Sequence, residues 1–294
     1  MTTLDAARPD RPAGVIHDIG YQRYDGPRLG RRYLVGSLYL HSLRTAFGLG
    51  RTFKAKIFPW LIVGVVGVVA AVLTAVRAQT GSLALSYAEF PETLSVLIIF
   101  FCAIVAPELA SRDLHSGVLP LYFARPLHRA DYALVKLAAL VSATFLTVGV
   151  PLTVMFAGSA FMVDGFGAVW DEFTDFLPAL GYVAVHAVVY SALALLVASL
   201  LRRRAVAAGA IVGAFLLTTP VVGVLAVLPY KAANQLAGLA SPVTMVGGIG
   251  DWMFEPSGDL DVGPYGPLYA LVAVGFVVVG ILLLLARYRK VAAK

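Results

Sequence analysis

The chain has 294 residues, of which 59% are hydrophobic and only 14% charged, and its formal net charge is +6. A soluble domain carries nearer a quarter charged residues, so scarce charge with long apolar runs places this chain in the membrane class. The single cysteine, Cys102, sits inside an apolar run, which excludes a disulfide framework and a cysteine-based metal site.

Met1–Ala13 is rich in Pro, Arg and Asp and is expected to be disordered. Residues 1–55 hold no apolar core like that of a signal peptide, so the first span is expected to be retained. Arg31–Phe47 then reads as an amphipathic helix lying in the membrane interface. Tyr33, Gly36, Leu40, Leu43 and Phe47 recur at three- and four-residue steps as one apolar-to-small stripe, with Arg31, His41, Ser42 and Thr45 pointing away. The other reading of this segment is the first turn of a long bent span. Gly48 and Gly50 interrupt it before the first long apolar run.

A helix needs ~20 mostly apolar residues to cross a hydrocarbon core of ~30 Å. Six segments qualify: Pro59–Val76, Thr93–Leu109, Tyr132–Phe161, Leu177–Leu200, Ala205–Leu228 and Pro267–Ala286. The expected fold is therefore all-α and polytopic. Residues 1–58 form an N-terminal segment, 59–286 a six-helix membrane domain and 287–294 a tail. The second span is the weakest, bounded by Glu89, Pro91 and Glu92 on one side and truncated by Pro107 and Glu108 on the other. The third is long enough to tilt, or to kink at Pro151.

Charge sets the expected orientation. Arg8, Arg11, Arg23, Arg28, Arg31, Arg32, Arg44, Arg51, Lys54 and Lys56 precede the first span. Arg112, Arg125 and Arg129 follow the second, Arg202, Arg203 and Arg204 follow the fourth, and Arg287, Arg289, Lys290 and Lys294 follow the sixth. The alternate loops hold only Arg77 and Lys231 and carry acids instead: Asp164, Asp171, Glu172 and Asp175, then Asp251, Glu255, Asp259 and Asp261. Basic residues stay cytoplasmic, so both termini are expected inside a plasma membrane. The positive excess then serves topology and attraction to anionic lipid, and no nucleic-acid partner is expected.

Two loops are unusual. Ser111–Asp131 carries Leu114, Val118, Leu119, Leu121, Tyr122, Phe123 and Leu127, and apolar groups on a wet face suggest docking to a partner. The alternative is that they fold back on the span ends. Pro229–Pro264 is long and semi-apolar, and is expected to re-enter the membrane as two short helices, with Glu255–Pro264 a plain external turn.

Catalytic signatures are absent. There is no phosphate loop and no Gly-Lys dipeptide, so the chain is not expected to hydrolyse ATP or to act as an enzyme. His186 lies mid-span with Ser191 and Ser199 on the same helix, but neither a Gly-x-Ser-Gly setting nor a His-Glu-x-x-His motif accompanies it. Tyr182 and Tyr190 share its face, and the three residues could line a substrate path or make interhelical contacts. Lys136 is expected to snorkel, and Glu108 and Asp113, beside Arg112 and Arg125, either form a structural ion pair or serve a coupling role. Gly209-x-x-x-Gly213 reads as a helix-packing motif, with a dimer seam as the other option.

Taken together these features resemble the ABC-2 type permeases, the membrane subunits of one class of ATP-driven exporters. The segment Glu108–Tyr132 followed by Lys136 is similar to that family's loop after the second span, where an acid ends the helix, a Gly and an apolar stretch follow, and a Pro/Arg turn leads into span three. Ile16–Arg28 resembles the entry to such permeases in actinobacteria, and Arg31–Phe47 their elbow helix. The resemblance implies that Glu108, Arg112, Asp113, Leu114, Gly117, Leu119, Leu121, Tyr122, Phe123, Arg125 and Arg129 form an ATPase-coupling loop. It implies a second, shorter cytoplasmic contact at Arg202, Arg203 and Arg204. It also implies two copies of an ABC ATPase subunit that holds ATP and Mg, and a second permease copy or a sister permease. A mostly apolar lining suits a hydrophobic or amphipathic substrate. A non-transporting anchor or sensor for an ATPase is a rival reading. So is a secondary transporter, although no Asp or Glu lies in the middle of any span.

Overall fold

The computed structural model describes residues 26, 29–117, 122, 127–254 and 262–291, and no strand occurs among them. The helices in chain order are α1 (Arg31–Ala46), α2 (Phe53–Thr80), α3 (Glu89–Thr93), α4 (Ser95–Leu109), α5 (Ser111–Ser116), α6 (Arg129–Ala160) and α7 (Phe166–Leu200). Then come α8 (Arg204–Leu216), α9 (Thr219–Ala226), α10 (Lys231–Leu236), α11 (Pro242–Met253) and α12 (Gly266–Val291). Six helical stretches are long and apolar enough to span a membrane: α2, α4–α5, α6, α7, α8–α9 and the helix ending in α12. The chain thus has a multi-pass membrane architecture. Its spans run past the apolar runs that identify them; α2 has 28 residues, about 42 Å at 1.5 Å per residue.

Spans α4–α5, α6 and α7 form an inner layer whose most apolar stretches are 61% buried, against 22–28% for α2, α8–α9 and α12. α6 and α7 pack against each other, with α1 and α2 on α6, α12 on α7, and α8 on α4. The outer helices expose apolar stripes, as in Leu271, Val274, Val278 and Leu282 of α12. Their period of three to four makes a lipid-facing side. Inside the bundle, where apolar surface gives helices no preference over lipid, side-chain hydrogen bonds and small residues hold the spans together. Thr144 on α6 lies 3.5 Å from Cys102 on α4 and 3.3 Å from Ser191 on α7. Tyr39 on α1 donates to Ser142 on α6 at 2.8 Å.

The two described chain ends lie at one end of the bundle. Arg31, which opens α1, and Arg289, near the close of α12, both meet the first turn of α6. The tryptophans mark two levels. Trp60 is half-exposed two turns into α2, while Trp170 and Trp252 are half-exposed at the opposite end. Amphipathic aromatics at two levels suit the two interfaces of a bilayer.

Three expectations need correction. α1 forms as expected, with Tyr33 and Leu40 of its apolar stripe more than half exposed on the outside of the bundle, but Ser42, which the pattern sets on the polar side with Arg31, His41 and Thr45, is fully buried against the protein with Leu38 and Ala46. Ser42 and Ala46 are small enough to let α1 lie close on its neighbours, whereas Tyr33 and Leu40 face outward. The fifth span is not one helix. It breaks at Leu217–Thr218, because Pro220 has no N–H to donate to the carbonyl of Leu216. Thr218 secures the break by donating to Ser241 at 2.9 Å. Packing inside the chain does not explain Gly209 and Gly213 either. Gly209 is exposed, and a methyl added there would touch nothing within 4 Å.

Between the fifth and sixth spans, α10 and α11 are the two short helices expected there, joined by the 3-10 turn Ala237–Ala240. α11 is buried in protein, with Met245, Val246 and Ile249 in the core, whereas α10 buries only Gln235. The glycines of α11 admit ring-bearing side chains; a Cβ on Gly250 would come within 2.5 Å of the Tyr182 hydroxyl. Residues 255–261, most of the expected external turn, lie outside the described residues.

Candidate functional site

The loop after the second span grows out of a helix break. α4 closes at Leu109, Ala110 distorts the helix at φ −114° while keeping its N–H bond to the Ala106 carbonyl, and α5 starts at Ser111. Ser111 is fully buried and donates to the Ala198 carbonyl at 2.7 Å. Arg287 donates to the next carbonyl, Ser199, at 3.3 Å. The last carbonyls of a helix lack partners within it, so α5 and α12 together cap the end of α7. Gly117 ends α5 at φ +66°, in the left-handed region that favours glycine.

Two acids organise the ion pairs here. Asp113 on α5 accepts from Lys136 Nζ at 2.9 Å and from the Tyr132 hydroxyl at 2.6 Å, both on α6. Lys136 is 3% exposed and lies 5.4 Å from the centre of the Tyr132 ring. It does not snorkel: a carboxylate and an aromatic face inside the protein stabilise its charge instead. Glu108, at the end of α4, binds Arg51 through one carboxylate oxygen and Arg204 through the other. Among the described residues the charged partners of Glu108 and Asp113 are therefore Arg51, Arg204 and Lys136, and Arg112 is an exposed side chain. A fourth pair, Arg31 to Asp131, is two-pronged at 2.7 and 2.6 Å, and Asp131 also accepts the His128 N–H as an N-terminal cap of α6.

The expected coupling residues thus divide. Leu114 and Tyr122 pack back against the bundle with Leu127, and the Tyr122 ring centre is 5.5 Å from that of Tyr132. These contacts are the ones the fold-back reading expects: Leu127 is buried, and Leu114 and Tyr122 are partly buried. Leu119, Leu121, Phe123 and Arg125 lie outside the described residues. Arg129 is exposed and reaches the Arg289 carbonyl at 3.5 Å. Arg202 and Arg203 are exposed, and Arg204 is the member of that run that joins Glu108.

Tyr182, His186 and Tyr190 share one face of α7, as expected, and all are buried. Tyr182 donates to the Val246 carbonyl of α11 at 3.1 Å, and His186 Nδ1 lies 3.1 Å from the Tyr182 carbonyl of its own helix. Tyr190 packs on Phe215 of α8 with ring centres 4.8 Å apart. Their rings hold α7, α8 and α11 together, and of the three only Tyr182 lines a cavity described here.

That cavity, about 740 Å³, opens at the other end of the bundle, between α3, the start of α7 and α11. Glu89, Glu92, Asp175, Tyr87, Tyr182 and Phe254 line it. Burial, then Asp251 and Glu89, push the Glu92 carboxyl up to about 7. Arg77, which interrupts the acidic pattern of this end, is bound to Glu172, and Tyr87 donates to the same carboxylate at 2.7 Å. Burial pushes the Tyr87 hydroxyl up to about 12. Sequence reasoning missed the roles of Arg51, Ser111, Tyr132 and Glu92. Only Asp131, three residues after His128 at a helix start, carried a local signal. Among the described residues no group of three or more His, Cys, Asp or Glu is placed to hold a metal. Compared with known proteins, the chain matches no protein-family model and no curated sequence.

Proposed function

We propose that this chain is the permease subunit of an ATP-driven exporter of the ABC-2 type, set in the bacterial plasma membrane with both termini cytoplasmic. The supporting observation is the bridge at Glu108. One carboxylate ties the turn before the first span, through Arg51, to the head of the fifth, through Arg204. α5 starts three residues after Glu108. The two cytoplasmic segments to which the family resemblance gives ATPase contact are thus fastened to each other and to the entry helix. Motion imposed on either reaches α4, α6 and α8 together.

ATP and Mg belong to the partner ATPase, two copies of which serve a pair of permeases. The exposed Arg112, Arg202 and Arg203, with Leu119, Leu121, Phe123 and Arg125, form the docking surface. Docking that differs between nucleotide states drives the cycle. α1 is the elbow helix in the cytoplasmic interface, α10–α11 re-enter from outside, and a hydrophobic or amphipathic substrate leaves by the acidic cavity.

Co-expression with its ATPase tests the reading. Leu121→Asp with Phe123→Asp is expected to cut ATPase co-purification at least tenfold, and undiminished co-purification would overturn the docking assignment. Reconstituted vesicles test export. Hydrolysis with no ATP-dependent movement across a set of amphipathic substrates would reassign the chain as a membrane anchor.

A further inference from the structure

A second cavity, about 480 Å³, lies between α2 and α6 on the outside of the bundle. Phe47 and Trp60 line it at one end, Gly67 and Ala70 floor it on α2, and Val150 and Pro151 form much of the α6 wall. Its polar groups are already engaged. The Thr147 hydroxyl donates to the Ala143 carbonyl at 2.8 Å, and the Trp60 indole N–H donates to the Phe47 carbonyl at 3.0 Å. A groove without free donors or acceptors suits hydrocarbon rather than a peptide or water. From Trp60 to Ala70 the helix rises about 15 Å, which is the depth of one leaflet of a ~30 Å core.

The head of the groove is charged. Lys56, Trp60, Val63, Gly67 and Ala70 follow one another at steps of four and three, so Lys56 stands on the groove face one turn beyond Trp60. No Asp or Glu occurs anywhere in α1 or α2, while Arg44, Arg51, Lys54 and Lys56 cluster where the two helices meet. Arg51 is engaged with Glu108, and among the described residues Lys54 and Lys56 have no acidic partner. The turn above is fixed: Gly48 takes φ +67°, and a Cβ there would stand 2.7 Å from the Ala55 carbonyl oxygen.

We infer that the α2–α6 groove is a binding site for one anionic phospholipid, its acyl chain against Gly67 and Ala70 and its phosphate at Lys56 and Lys54. The charge complementarity selects the headgroup, and the dry apolar wall of single-leaflet depth selects the chain. The site depends on the multi-pass architecture alone and not on the exporter reading.

Native mass spectrometry of the full chain, loaded from micelles containing equal phosphatidylglycerol and phosphatidylcholine, tests the site. The wild type is expected to retain one phosphatidylglycerol per chain. Gly67→Leu fills the groove, and an added Cβ there meets nothing within 4 Å, so the variant is expected to fold and to lose at least tenfold of the retained lipid. Gly64→Leu, on an exposed part of α2 outside the groove lining, is expected to keep it. Lys56→Gln is expected to keep a lipid but to lower the preference for phosphatidylglycerol about fivefold, since one basic group near a headgroup is worth ~1 kcal/mol. Equal retention by wild type and Gly67→Leu would overturn the inference. So would a Gly67→Leu chain that loses self-association while its lipid is unchanged, which would give the groove to a second copy.

Discussion

Asp113 accepts a 2.9 Å ion pair from Lys136, and the ammonium that donates it is almost wholly buried between α5 and α6. Removing one partner of such a pair strands the other charge in a poor solvent, which costs about 3–5 kcal/mol in protein interiors. Asp113→Leu alone is therefore expected to destabilise the bundle by about 3 kcal/mol. Lys136→Met is expected to cost less, because Asp113 keeps the Tyr132 hydroxyl. The double variant is expected to recover most of the loss, since no unpaired charge remains. Thermal unfolding in detergent of the four proteins measures the coupling; additive losses would refute it.

Glu108 presents a graded case. Its bond to Arg51 is only 18% and 23% exposed on the two sides, whereas Arg204 is 49% exposed. Exposed pairs contribute little and sheltered ones more. Arg51→Met is expected to cost about 1–2 kcal/mol and Arg204→Met under about 0.5 kcal/mol, with Glu108→Gln close to Arg51→Met. Unfolding midpoints in a salt series check this, because the Arg204 contribution is expected to vanish first as salt rises. An Arg204 contribution equal to that of Arg51 would contradict the ranking.

Composition and charge made the six spans and the division into a basic and an acidic end legible. The internal packing was less so, for a reason visible in α1. In water, Tyr33 and Leu40 would seek a core; beside lipid they have no such preference, and the smaller Ser42 and Ala46 mark the protein contact instead. Hydrophobicity thus located the helix, while the face it turns to the protein is marked by small residues that carry little hydrophobic signal. On α7, Tyr182, His186 and Tyr190 were legible as one face and their burial fits the interhelical-contact reading, whereas their partners on α8 and α11 were not legible. Pairs such as Arg31–Asp131, 100 residues apart, leave no mark in a single sequence. The α4–α5 break was partly visible in Pro107 and Glu108. The end-cap that Ser111 makes on α7 depends on which helix lies beside it.

Glu92 makes the acidic end sensitive to pH. Its carboxyl titrates at about 7 in the fold against an ordinary 4.5. A raised acid pKa means that the folded state binds the proton more tightly than the unfolded chain. The stabilisation is complete below about pH 4.5 and is lost as pH rises through 7. Glu92 is only partly buried, so solvent screening reduces the effect to the order of 1 kcal/mol. Unfolding midpoints are expected to fall between pH 5 and pH 8 in the wild type and to be flatter in Glu92→Gln. Parallel profiles in the two proteins would show that another group is responsible.

The contact between α2 and α6 at their far ends depends on the absence of one methyl group. A Cβ on Gly158 would collide with the Cγ2 methyl of Thr74 on α2. Thr74 has little room to turn, because its hydroxyl donates to the Ala70 carbonyl at 2.8 Å. Overpacking of this kind costs about 1–3 kcal/mol, and Gly158→Ala is expected to fall in that range although alanine is the better helix former. Thr74→Ser removes the methyl and keeps the hydroxyl. It is expected to be nearly neutral alone and to rescue Gly158→Ala, leaving the pair within about 0.5 kcal/mol of wild type. Failure of that rescue in thermal unfolding would mean that Gly158 is needed for something other than the approach of α2.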